Sequence, residues 1–168
     1  MCPPRRASTV PRHAQAAISA PEYRALAELR YHVRHFLRFS EEAARETGLE
    51  PQQHQLLLAV KGLPAGLQPT IRELAGRLQI QHHSAVELIN RSERNGLIRR
   101  SPSASDRRVV LIELTSRGER LLRDLSLYHR EALQTFGPLL ASAIGELTSG
   151  KPISAKFPAT RPKGQSRK

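Results

Sequence analysis

The segment from Thr70 to Thr115, TIRELAGRLQIQHHSAVELINRSERNGLIRRSPSASDRRVVLIELT, leaves the chain few folds to choose from. Ile71, Leu74, Ala75 and Leu78 recur at steps of three and four, which predicts a short helix with one buried face. Thr70 and Glu73 form a capping-box pattern, in which each side chain satisfies the other's orphan backbone N–H. After a turn at Gln79–Gln81, a second helix is expected from about His82 to Asn95, stopping at Gly96. Its start has two readings: Gln81 caps poorly, whereas Ser84 with Glu87 would make a capping box three residues later. Leu97–Ser101 and Arg107–Leu114 read as strands, joined by the turn-rich tip Ser101–Asp106. Helix, turn, helix and hairpin, in that order, make a helix-turn-helix with a wing.

Such a unit sets its second helix in a DNA major groove and its hairpin on the neighbouring backbone or minor groove. Ala85, Leu88 and Ile89 share the face that packs on the preceding helix. The opposite side offers His82, His83, Val86, Glu87, Asn90 and Arg94, with Ser84 in the first turn and Arg91 at the edge. Donors, acceptors and one apolar group suit base edges. A solvated helix face looks the same, and the wing that follows favours the DNA reading. In the hairpin, Arg99 and Arg100 leave the first strand, and Arg107 and Arg108 stand just beyond the tip. Arginine fits the negative potential of a narrow minor groove. Asp106 is expected to brace an arginine by a charge-assisted hydrogen bond.

Charge supports this less than its total suggests. The 168 residues hold 27 Lys/Arg and 15 Asp/Glu, a net +12, which points to nucleic acid or an anionic surface. Nine of the basic residues lie in the ends, within 1–19 and 151–168, where no acid balances them. The remainder has 18 basic and 15 acidic residues, so the local nine against five within 70–117 is the more telling figure. Both ends, 1–19 and 149–168, are rich in Pro, Arg, Lys and Ser without period and are expected to be disordered. The basic C-terminal tail either aids DNA binding through counterion release or only solubilises.

Several function classes fall away. Cys2 is the single cysteine, so an intramolecular disulfide and a cysteine metal cage are excluded. No apolar run nears the roughly 18 residues of a membrane span, and the N-terminus has no apolar core of a secretory signal. A cytoplasmic protein is the expectation. There is no phosphate-cradling glycine loop and no Gly-x-Ser-x-Gly elbow, so neither an enzyme nor a cofactor is expected. His32 and His35 on the first helix, His54 on the second and His129 on the fifth could converge on a metal. Histidines at helical spacing are commoner at surfaces and interfaces, which makes the metal the lesser reading.

The flanks supply helices. From Pro21 to about Glu46, Tyr23, Leu26, Leu29, Val33, Phe36, Leu37, Ala43 and Ala44 trace one amphipathic helix, ended by Gly48. Pro51 opens a second helix, apolar over most of its circumference at Leu56, Leu57, Leu58 and Val60 and so expected in the core. The segment with Gly62, Pro64, Gly66 and Pro69 reads as a loop. Thr115 caps a long helix through about Thr135, Gly137-Pro138 breaks it, and a short helix follows over Leu139–Leu147. The terminal helices are too apolar to stay unpaired. A symmetric pair of reading heads about one DNA turn (~34 Å) apart would read a palindrome.

The element order, the LIRRSPSASDRR hairpin and the LTSRG that follows resemble the MarR family of bacterial winged-helix transcriptional regulators, over roughly residues 20–148. The most specific match is Asp106-Arg107-Arg108 followed by Leu114-Thr115 and Gly118. The resemblance implies a mainly α fold with a small β-hairpin wing. A DNA-binding core of about 51–115 would lie between dimerisation helices of about 21–47 and 116–148. It further implies a homodimer on a palindromic operator in double-stranded DNA, acting as a repressor or other regulator. Residues 82–95 would be the recognition helix, and Arg107 or Arg108 the minor-groove contact. A small-molecule effector would bind in a cleft between the dimerisation and DNA-binding regions. Two positions depart from the family's pattern. Ser92 stands where a leucine commonly packs, and its hydroxyl needs a partner. Gln81 and His82 replace the more usual Ser-Pro opening. The rival readings are a basic protein that binds nucleic acid without sequence preference and a winged helix used as a protein-interaction module.

Overall fold

A computed structural model describes residues 18–104, 106 and 108–149. The expectation of disorder in the basic ends therefore falls outside the described residues, apart from Ile18, Ser19 and Ser149. The elements run α1 (Ala20–Glu46), α2 (Pro51–Lys61), α3 (Ile71–Leu78), α4 (His82–Arg94), β1 (Ile98–Pro102), β2 (Val110–Leu114) and α5 (Ser116–Thr148). The fold is mainly helical with one antiparallel hairpin, as expected. Among the described residues no helix is long and apolar enough to cross a membrane.

Three helices begin where a hydroxyl can accept an orphan N–H. Ser19 and Glu22 form a reciprocal capping box ahead of Pro21, with Ser19 donating to the Glu22 carboxylate at 2.7 Å. Thr70 accepts from the Glu73 N–H at 3.2 Å, and Thr115 from the Gly118 N–H at 3.1 Å. At Thr70 only half of the expected box forms. The Glu73 carboxylate turns instead to Arg77, one helical turn on, at 3.2 Å. An opposite charge at that spacing outcompetes a neutral backbone donor.

The core gathers where α2, α3, α4, the hairpin and α5 meet, around Leu56, Leu57, Leu74, Leu88, Ile89 and Ile112. Leu74 and Ala75 of α3 and Ala85, Leu88 and Ile89 of α4 are buried, the faces the periodicity assigned. The turn between α3 and α4 passes through Gln79, a non-glycine residue in the left-handed region at φ +54°. Its backbone N–H closes on Ala75 and Gly76, and that of Ile80 on Ala75. The second helix starts at His82 with Gln81 as its cap, and no side chain closes that end. Ser84 lies inside the first turn, so the later start is not used. Ser92 is fully buried, and its hydroxyl donates to the Leu88 carbonyl at 2.8 Å. The partner its position demands is thus within its own helix.

Gly96, at φ +65°, reverses the chain after α4, and the Leu97 N–H returns to the Ser92 carbonyl at 3.0 Å. That left-handed residue favours glycine and seats Leu97 and Ile98 directly on the core. The strands pair Ile98 with Leu114, Arg99 with Glu113, Arg100 with Ile112, Ser101 with Leu111 and Pro102 with Val110. The return strand begins at Val110 rather than Arg107. Asp106 holds the Val109 N–H at 2.9 Å, and Val109 accepts from the Ser103 N–H at 2.8 Å, which places Arg108 and Val109 in the tip. The loop before α3 also joins the sheet: Pro69 accepts from the Ile112 N–H at 2.9 Å, and Thr70 bridges Leu111.

Two further expectations are corrected. Helix α2 is not uniformly apolar in its burial: Leu58 is half exposed, while Gln53 and His54 are buried. Gln53 accepts from the Glu50 N–H at the helix start, and His54 stacks on His129, so both polar groups have reasons to be inside. Gly137-Pro138 does not break the last helix; α5 runs unbroken over 33 residues with Pro138 inside. Helix α1 holds it on the near side of the proline. Phe136 packs on Phe36, Phe39 and His35, and Phe39 packs on Tyr128. Beyond the proline Ala143 is buried as well. Tertiary packing on both sides outweighs a missing hydrogen bond and a ring clash of about 3 kcal/mol.

Candidate nucleic-acid interface

The outward side of α4 carries the groups expected there. His82, His83, Glu87, Asn90, Arg91 and Arg94 are exposed, and Ser84 and Val86 are half-buried beside them. Core contacts on the opposite side leave these residues no choice of direction, because Ala85, Leu88, Ile89 and Ser92 are buried within the same helix.

The hairpin arginines differ from one another. Arg99 is exposed and reaches across the ladder to Glu113, with its Nε and one Nη both within 2.9 Å of the same carboxylate oxygen. The other oxygen of Glu113 accepts from the Ser101 hydroxyl at 2.6 Å. The Ser101 bond first, then Arg99, holds the Glu113 carboxyl below the usual carboxylate range. Arg100 turns to α4: its guanidinium pairs with the Glu93 carboxylate and donates to Asn90 Oδ1 at 2.7 Å, and its backbone N–H reaches Glu93 at 3.2 Å. Arg108 stands exposed at the tip. Asp106 Oδ1 accepts from the Arg108 backbone N–H at 2.9 Å, so at Arg108 the expected brace on a guanidinium is a brace on the turn itself. Arg107 lies outside the described residues.

The Asn90–Arg100 bond joins the outer face of α4 to the root of the hairpin, so helix and wing present one continuous surface. Residues 47–109 match the family model described as MarR family. Over those residues the chain is similar to the MarR family, on a winged helix-turn-helix fold. The chain is also 35% identical, over 65 residues, to YsmB of Bacillus subtilis, described as an uncharacterized HTH-type transcriptional regulator. That match spans 39% of this chain and 44% of the relative, less than half its length. The solved structure of AbsC, a MarR family transcriptional regulator from Streptomyces coelicolor, superposes with a TM-score of 0.62 at 20% identity, covering 80% of this chain and 92% of that one. A MepR variant from S. aureus, solved bound to an oligodeoxyribonucleotide, gives 0.53 at 23% identity, over 76% and 90%. At these identities the structures share the fold.

Sequence reasoning missed two residues beside the outward face of α4, Glu93 and Arg45. Glu93 is the acid that holds Arg100, seven residues away across a turn, beyond any helical period. Arg45, from α1, lines an open polar groove of about 830 Å³ together with Arg91 and Arg94. The start of α2 and the acids Glu41 and Glu50 wall the same groove, and Arg45 pairs with Glu41 at 3.2 Å.

The four histidines considered for a metal do not form one set. His32 faces Glu28 at 3.6 Å, and His35 packs on Tyr31 and Phe136. Among the described residues no three ligating side chains cluster. His54 and His129 stack with ring centroids 4.9 Å apart, beside a cavity of about 450 Å³ lined also by Phe36, Leu37, Leu58 and Leu133. His129 Nδ1 lies 2.6 Å from the Leu125 carbonyl, which only accepts, so that nitrogen carries the proton. In the neutral ring Nε2 then accepts from the Ser40 hydroxyl at 2.7 Å. Burial first, and the neighbouring His129 second, push His54 down to about 4.

Proposed function

We propose that this protein is a homodimeric transcriptional regulator that binds a palindromic operator, with α4 of each copy in successive major grooves and the hairpin tips alongside. The observation that carries the proposal is the single surface on which α4 and the wing meet at Asn90 and Arg100. The MarR-family match over the same residues, and the oligodeoxyribonucleotide bound to the MepR variant, support it. His82, His83, Ser84, Val86, Glu87, Asn90, Arg91 and Arg94 would face the groove, with Arg107 and Arg108 on the flank. Arg99 and Arg100 are already committed to acids, so they contribute less to counterion release than free arginines would.

A second copy would cover the exposed apolar residues of α1 and α5, Tyr23, Leu26, Leu127, Leu139 and Ile144 among them. The apolar cavity beside His54 and His129 would receive a small effector, acting in the cytoplasm. It can change DNA affinity only by binding one spacing of the two reading heads better than the other.

Footprinting on the DNA upstream of the protein's own coding region tests the proposal. A protected inverted repeat with centres about one helical turn apart is expected. Retardation independent of sequence, or none at low salt, would return the protein to the class of non-specific binders or of protein-interaction modules.

A further inference from the structure

We infer that Arg100 is a positioning residue that fixes which way the Asn90 amide faces, and that Asn90 therefore reads hydrogen-bond acceptors on the base edge, guanine or thymine rather than adenine. The inference rests on the operator-binding reading and deepens it. Three contacts hold Arg100 in place. Its backbone N–H and one Nη go to the two oxygens of Glu93, and the other Nη goes to Asn90 Oδ1. Its side chain is about two-thirds buried, although it sits in the hairpin, where a DNA contact was expected.

The consequence follows from the chemistry of an amide. Asn90 has one acceptor oxygen and one donor nitrogen at opposite corners of a planar group. Turning the group over would aim its N–H2 at a guanidinium, which offers only donors. The bond to Arg100 therefore selects one face: oxygen toward the wing, N–H2 outward from the exposed side of α4. Two-point recognition of adenine by asparagine needs both atoms, the nitrogen for N7 and the oxygen for N6–H. An outward face of donors alone matches both O6 and N7 of guanine, or O4 of thymine, whereas adenine offers it N7 alone and sets a competing donor, N6–H2, beside it. Glu93 takes up the charge of Arg100, so that the wing root organises this contact without supplying a free cation of its own.

Selection of bound sequences from a randomised duplex pool tests this with the full-length protein, using the wild type, Asn90→Ala, Arg100→Ala and Arg100→Lys, each checked for an unchanged melting temperature. Wild type is expected to prefer guanine or thymine over adenine, on the order of tenfold, at one symmetry-related position. Asn90→Ala should lose preference at that position alone. Arg100→Ala should admit adenine there while leaving the other positions unchanged, and Arg100→Lys, with one donor still able to hold Oδ1, should restore part of the discrimination. The inference is overturned if the Asn90-dependent position selects adenine in the wild type. It is equally overturned if Asn90→Ala alters no position, or if Arg100→Ala weakens all sequences alike. Those outcomes leave the operator reading intact, whereas a wild-type pool with no enriched sequence removes the operator reading itself.

Discussion

Gly118 shows how one residue sets a junction. A Cβ built there would lie 2.1 Å from the Leu97 carbonyl oxygen, so the first turn of α5 rests directly on the root of the hairpin. Thr115 ties the same point down, its hydroxyl donating to the Gly96 carbonyl at 2.6 Å while accepting from the Gly118 N–H. Backbone against backbone leaves nothing flexible to yield. Gly118→Ala is expected to destabilise the fold by about 1–3 kcal/mol, read as a lower urea midpoint. A variant as stable as the wild type would mean that the two elements can separate freely. His54 gives a pH dependence with a definite sign. The unfolded chain binds its proton below the ordinary 6.5, whereas the folded ring, pushed to about 4, refuses it. Stability is therefore complete above about pH 6.5 and declines toward pH 4, by at most about 1.4 kcal/mol per pH unit from this group. Thermal melts between pH 7 and pH 5 should show the decline, and His54→Leu should flatten it. Glu22, Glu113 and Glu119 are held below the carboxylate range, so their contribution persists through this window and is lost only at lower pH.

Among the elements, α5 is where local rules gave way. Pro138 lacks the N–H that would reach the Gln134 carbonyl, yet the helix continues to Thr148. Pro138→Ala restores that bond and removes the ring clash, against some extra entropy gained by the unfolded chain. A rise in stability of about 1–2 kcal/mol is expected from thermal melts. A fall would show that α1 packs on the shape the proline imposes. Helix α4 followed its local pattern instead. Its buried stripe, its stop before Gly96 and the internal partner of Ser92 all answer to residues within four or five positions. Its exposed face could be read in the same way, but the bonding of that face could not. Arg99 and Arg100 look alike in the sequence as free cations of the wing, and both are spent on acids that lie across a ladder or on another element.

For the whole molecule, α1 and α5 lie antiparallel, with Ser40 against His129 and His35 against Phe136. This clasp uses three phenylalanines and leaves a second apolar face outward, with Leu139 and Ile144 each more than two-fifths exposed. Replacing both, Leu139→Glu with Ile144→Glu, is expected to convert a dimer to monomers in sedimentation equilibrium. Operator affinity should fall with it, because one head grips only half a palindrome. Wild-type protein that sediments as a monomer at micromolar concentration would refute the paired arrangement.

Hydrophobic period, caps and glycine stops are interactions within a turn or two of chain. The amino-acid order alone therefore determined that α1, α3, α4 and the hairpin exist, and which side of α4 faces outward. Burial of His54 against His129, the continuity of α5 through Pro138 and the grip of Glu93 and Arg100 on Asn90 join residues from separate elements or from the two sides of a turn. Their energies depend on how the helices are laid against one another, and only the assembled fold brings those groups within bonding distance.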